Sequence, residues 1–111
     1  MKEGDVVVAK LSQADEGAKK RPVVVLREMP PYRDLLVCGI STQLQHSVQD
    51  FDEVIAPVDS DFDGSGLLKR SLIRLGFLAV VSRRKIAGSI GSISPGRHER
   101  LLRRLAEHLR S

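Results

Sequence analysis

Apolar residues fall in short consecutive runs over the first three-quarters of the chain and switch to a helical period near its end. Val6-Val7-Val8-Ala9 opens after Gly4-Asp5, and Val23-Val24-Val25-Leu26 is entered through Pro22, a residue suited to the first position of a strand. Leu35–Ile40 is a third run, Glu53–Pro57 a weaker fourth, and Ser71–Leu75 continues into Phe77–Val81 as a fifth, long or bent at Gly76. Ile86, Gly88 and Ile90 alternate with Ala87 and Ser89 as a last short strand. Runs this short and this rich in Val and Ile predict strands rather than helices. They are consecutive rather than alternating, as expected where strands curl and both faces find cover. The expected fold is therefore mainly β, a small barrel. Leu11–Lys20 reads as a long polar loop, Met29–Arg33 with its Pro-Pro pair as a hairpin loop, and Asp59–Gly66 as an acidic, glycine-rich loop. Ser94-Pro95 then supplies an N-cap and a first-turn proline. Leu101, Leu102, Leu105 and Leu109 follow on one face of a helix, with most of its arginines placed elsewhere.

Composition narrows this picture. At 111 residues the chain suits one domain, with the barrel over about 1–93 and the helix over about 95–110. One cysteine excludes an intramolecular disulfide and a cysteine-rich zinc site. The longest apolar stretch, Leu75–Val81, is too short to span a bilayer, and Met1–Asp5 starts no apolar leader, so no membrane association and a cytoplasmic location are expected. A net charge of +4 favours a polyanionic partner. The charge is segregated. Gln43–Gly66 holds six acidic residues and no Lys or Arg, whereas Lys19–Arg21, Lys69-Arg70, Arg83–Lys85 and the last helix are basic, so one acidic loop edge beside a basic face is expected.

Several chemistries are excluded. No glycine-rich segment ends in Gly-Lys-Ser/Thr, and Gly88–Ser92 lacks a helix start in register for a dinucleotide. Asp59, Asp61 and Asp63 begin like a calcium loop, but the twelfth-position Glu is missing, and His46, His98 and His108 are scattered; no metal site and no cofactor are expected. Two segments remain informative. Arg21-Pro22 leads into the second strand, where a stiffly held guanidinium suits two phosphate oxygens or is simply solvated. Ser41-Thr42-Gln43 ends the third strand with two hydroxyls and an amide, which could donate to phosphate or cap the following turn.

Read in order, Gly4–Val7, Glu16–Leu26, Ile40–Gln43, Ser71–Arg74, Lys85-Ile86, Ile90–Ile93 and the final amphipathic helix resemble the MazF/PemK family of toxin endoribonucleases from type II toxin–antitoxin modules, over nearly the whole chain. The resemblance implies a small curled antiparallel SH3-like barrel with a C-terminal helix and a homodimer. It implies metal-free cleavage of single-stranded RNA through a 2′,3′-cyclic phosphate, and inhibition by a cognate antitoxin protein. It matches the catalytic residues to Arg21 and Ser41, with Glu16, Thr42 and Gln43 in support. Lys19, Lys20, Arg70 and Arg74 are the expected RNA-binding groups. The family's polar pair in the strand after Ser71 has no counterpart in Phe77–Val81, which leaves RNA contacts on that side to Arg70 and Arg74. His46 is a candidate general base by its position five residues after Ser41. Two other readings stay open: a PemK-like module that binds nucleic acid or antitoxin without cleaving, and an SH3-like protein-interaction domain.

Overall fold

The computed structural model describes residues 1–13 and 17–111. Six strands form one antiparallel sheet: β1 (Asp5–Gln13), β2 (Gly17–Met29), β3 (Asp34–Ser41), β4 (Glu53–Ile55), β5 (Ser71–Val81) and β6 (Ile86–Ser92). Its strand order is β4-β5-β3-β2-β1-β6, so the sheet is curled but not closed by a ladder between β4 and β6. A one-turn helix α1 (Phe62–Ser65) links β4 to β5, and α2 (Pro95–Arg110) ends the chain. Among the described residues no helix is long and apolar enough to cross a membrane.

The consecutive apolar runs have a simple cause: successive side chains of a strand point to opposite faces, and here both faces are covered. Val6, Val24, Leu26, Cys38, Ile73 and Leu75 pack on one face beneath Leu101 and Leu105 of α2 and Phe62 of α1. Val7, Ala9, Leu11, Val23, Val25 and Val37 pack on the other, where the curl brings Leu35 and Val81 over them, with Phe77, Ala79 and Ile86 partly buried at the margin.

The expected polar loop at Leu11–Lys20 is instead a long hairpin. Lys10 pairs with Lys20, Leu11 with Lys19, Ser12 with Ala18 and Gln13 with Gly17. Leu11 stays buried and anchors the arm, while the ladder itself tolerates polar side chains. Pro22 accordingly lies inside β2, not at its start. It sits opposite Val8, one residue before the β2–β3 ladder begins at Val23–Gly39, where β2 behaves as an edge and no donor is required.

The bend expected at Gly76 is a bulge. Gly39 pairs with Arg74, but Cys38 pairs with Leu78, so Leu75, Gly76 and Phe77 are looped out of register. An odd number of extra residues reverses which face each side chain meets. Ile73 and Leu75 therefore enter the helix-side core, whereas Phe77, Ala79 and Val81 enter the other.

The two sheet edges meet through backbone packing. Gly66 caps α1 in the left-handed conformation (φ 77°), and a Cβ there would collide with the Ile90 carbonyl. A Cβ on Gly91 would collide with the Gly64 carbonyl in turn. These two glycines let the α1 segment lie against β6 and stand in for the missing β4–β6 ladder.

At the chain's end, Ser94 Oγ accepts the Arg97 amide at 3.2 Å and Pro95 opens the first turn, as the sequence predicts. Leu101 and Leu105 are buried, but Leu109, expected on the same face, is 72% exposed. Arg97 also departs from expectation, being only 6% exposed. Its Nε donates to Asp61 at 2.8 Å, Nη1 to Glu53 at 2.8 Å, and Nη2 to Asp59 at 3.1 Å and Asp61 at 3.0 Å. Arg100 and Arg104 complete the cluster on Glu53, at 2.9 and 3.3 Å. The expected acidic loop edge is thus largely consumed inside the fold, and the calcium-like Asp59 and Asp61 are counter-ions of Arg97. Hydrogen bonding from Arg97 holds the Asp61 carboxyl down at about 2, against the cost of burial. For Arg97 itself burial opposes the charge, and the carboxylates of Asp61, Glu53 and Asp59 outweigh it and raise its pKa.

Candidate functional site

The residues that position the cleft are neighbours across three strands. Val23 on β2 faces Gly39 on β3, and Gly39 faces Arg74 on β5. Arg21, two residues before Val23 on β2, and Ser41, two residues after Gly39 on β3, lie just past the end of that ladder and line the same cleft. Gly39 has a packing reason: a Cβ there would come within 3.1 Å of the Phe77 ring. The bare backbone lets Phe77 fold over Gly39 and become a wall.

The result is a cleft of about 80 Å³ lined by Arg21, Ser41 and Arg74 as polar groups, with Leu11, Val23 and Phe77 among its apolar walls. That volume holds a few waters or one tetrahedral oxyanion, not a nucleobase. Ser41 Oγ accepts the Gln43 amide at 3.0 Å, so the hydroxyl's own proton remains for an acceptor in the cleft. No carboxylate or imidazole is among the described residues of the lining. Two guanidiniums and a hydroxyl beside an apolar wall form a site that can stabilise negative charge on a small oxyanion.

A broader groove of about 500 Å³ adjoins the cleft and shares Pro22, Ile40 and Ser41 with it. Lys20, Thr42 and Lys69 are polar groups along its walls, and Leu67, Leu68 and Ile90 supply apolar surface. Its size and mixed walls suit a stretch of extended chain rather than a single small group.

The structure therefore gathers Arg21, Ser41 and Arg74 in the cleft and Lys20 and Thr42 in the groove. Gln43 is exposed, and its Oε1 accepts from Gln45 at 2.7 Å. Lys19 is exposed on β2 opposite Leu11. Arg70 is exposed just before β5 and lines neither cavity; its neighbour Lys69 takes the place expected for it. His46 is exposed on a 3₁₀ turn, Leu44–His46, and lines neither cavity. Glu16 lies outside the described residues. Sequence reasoning missed Phe77 and Lys69. The Lys69-Arg70 doublet pointed to the right segment and Gly76 to a bend, but no residue pattern gives the bend as a three-residue bulge. Cys38 is buried, and desolvation pushes its thiol up to about 12, which excludes it as a nucleophile at neutral pH. Among the described residues no group of three His, Cys, Asp or Glu could hold a metal ion.

Comparison with known proteins bears on this geometry. The family described as "PemK-like, MazF-like toxin of type II toxin-antitoxin system" matches residues 2–109. Toxin MazF-mt6 of Mycobacterium tuberculosis superimposes with a TM-score of 0.69, 18% identity and 96% of each chain covered. An endoribonuclease in complex with its cognate antitoxin, from a mycobacterial species, superimposes with a TM-score of 0.65 and 14% identity, over 96% of this chain and 92% of that one. At such identities the likeness is one of fold. No curated protein sequence matches the chain.

Proposed function

The chain belongs to the PemK-like, MazF-like toxin family of type II toxin–antitoxin systems, and on that premise we propose that it is an endoribonuclease that cleaves single-stranded RNA without a metal. The observation that carries the reading is the convergence of Arg21, Ser41 and Arg74 on one small cleft beside a basic groove. In this reading the groove takes the RNA strand, Lys20 and Lys69 meet its phosphates, and the scissile phosphate enters the cleft. The neighbouring 2′-oxygen attacks phosphorus and the bond to the 5′-oxygen breaks. The attacking hydroxyl releases a proton and the leaving oxygen takes one up, which leaves a 2′,3′-cyclic phosphate and a 5′-hydroxyl. Arg21 and Arg74 stabilise the charge on the phosphorane oxygens and Ser41 donates to one of them. Arginine keeps its proton throughout, so its role is electrostatic.

The same family membership supports an antitoxin as partner, as for the mycobacterial endoribonuclease. A homodimer as the working unit belongs to the same proposal and rests on the resemblance in sequence alone. The apolar Leu67, Leu68 and Ile90 between Lys20 and Lys69 suit an acidic, partly apolar segment competing with RNA for the groove. The decisive experiment incubates the protein with single-stranded RNA in excess chelator and sequences the ends. Wild type should leave cyclic-phosphate ends and Arg21→Ala none. Binding without new ends would instead favour the non-cleaving module, and cleavage that survives Arg21→Ala would sink the site.

A further inference from the structure

A carboxylate outside the cleft joins its two halves. Asp52 is 9% exposed. Its Oδ1 accepts the buried Leu75 amide at 3.0 Å, inside the β5 bulge, and its Oδ2 accepts the Val48 amide at 2.9 Å. Val48 belongs to the turn that follows Ser41–Gln43 and the Leu44–His46 3₁₀ turn. That turn is closed by the Asp52 amide on the Val48 carbonyl at 2.9 Å, and the Asp52 carbonyl takes Arg104 Nη1 at 3.1 Å.

The bulge matters because Arg74 and Phe77 are three residues apart. An unbroken strand would send them to opposite faces; the looped-out residues return both to the cleft. Leaving the ladder deprives the Leu75 amide of a cross-strand partner, and an unmet buried donor would push β5 back towards regular pairing. Asp52 supplies the missing acceptor. Its second oxygen fixes the same point to the segment that leaves Ser41.

We propose that Asp52 is a positioning residue for the cleft: its carboxylate holds the β5 bulge against the Val48 turn, so that Arg74 and Phe77 face Ser41 and Arg21. The proposal rests on the nuclease reading above for its kinetic consequence. Asp52→Asn is the informative substitution. It preserves shape, but an amide has one acceptor oxygen, so either the Leu75 or the Val48 bond must be lost.

The test is a double-mutant cycle with Arg74, read by RNA cleavage at fixed salt. Asp52→Asn should lower kcat/KM about 10- to 100-fold, the scale of a slightly misplaced catalytic group. In an Arg74→Ala background it should cost less than about threefold, because the group it positions is gone. Equal losses in both backgrounds, or no loss in either, overturn the proposal. Amide hydrogen exchange supplies a reading independent of activity: Leu75 or Val48 should exchange at least about tenfold faster in Asp52→Asn, with shifted Phe77 ring signals. If wild type leaves RNA intact, the nuclease reading falls and exchange alone decides the link: unchanged Leu75 and Val48 amides overturn it.

Discussion

Arg97 and Arg74 lie on opposite sides of one sheet, and their surroundings differ as much as those of two arginines can. Arg97 is sunk between α1, β4 and α2, and its guanidinium donors are met by Asp61, Glu53 and Asp59. Arg74 is half-buried in a cleft whose described lining has no carboxylate, beside Ser41 and Arg21. The first arrangement is complete without a ligand. The second presents donors to whatever enters. A charge tally treats the two alike, yet one is spent on the fold and the other is available to an anion.

Removing Arg97 should give the largest effect, and it falls on stability alone. Arg97→Met leaves Asp61, whose side chain is 8% exposed, without its main partner, and breaking one side of a buried pair costs about 3–5 kcal/mol. A urea titration should show the midpoint falling accordingly. Adding Asp61→Asn should recover part of the loss, since the orphaned charge goes with it. RNA cleavage per folded molecule should stay at the wild-type level. A loss of cleavage without a loss of stability would break the contrast between the two sites.

Arg21→Ala is the mirror image and comes next. Loss of a preorganised donor to a developing oxyanion costs about 10²–10³ in rate. The expected result is a fall of that size in kcat/KM, with the urea midpoint moving far less than it does in Arg97→Met. A midpoint that drops as far as that of Arg97→Met would make Arg21 a second Arg97, part of the fold rather than the cleft.

Acid separates the clusters more gently. Asp61 has its carboxyl pKa lowered from 3.8 to about 2, chiefly by the Arg97 hydrogen bond. A depressed folded-state value means that the carboxylate adds stability above the unfolded value and gives it up as pH falls from about 4 to about 2. The contribution is about 2 kcal/mol by linkage. Urea midpoints measured between pH 6 and pH 2 should fall most steeply in that last interval, and Asp61→Asn should flatten the fall.

The contrast also explains what could be read from the sequence. Strands showed themselves because Val6-Val7 and Val23-Val24-Val25 are covered on both faces, a condition that leaves a mark residue by residue. The C-terminal helix showed itself through Ser94-Pro95 and the leucine spacing. Arg21 and Ser41 came from a resemblance of ordered short motifs, and both line the one small cleft. What stayed hidden depends on partners distant in sequence. Arg97 meets Glu53 across 44 residues, so its burial has no local trace. The β1–β2 arm looks polar because, among the residues of its outer half whose side chains are described, Leu11 is the one that is buried. The β5 bulge depends on Asp52, 23 residues upstream of the amide it satisfies.

The smallest effect belongs to the groove. Lys69 is exposed and stands on a mixed apolar and basic wall, so under the proposed function its contact with RNA would be a screened phosphate contact and not a fixed hydrogen bond. Lys69→Gln should weaken binding of single-stranded RNA only a few-fold at moderate salt, alike for all sequences. It should also reduce the slope of log affinity against log salt by about 0.7, the value for one phosphate contact on a single strand. Arg70→Gln, one residue on and lining neither cavity, should leave the slope where it was. If Arg70 carries the slope and Lys69 does not, the RNA path runs along the outside of the β5 entry instead of through the groove. The cleft would then be reached from the side of Arg74 rather than from that of Thr42.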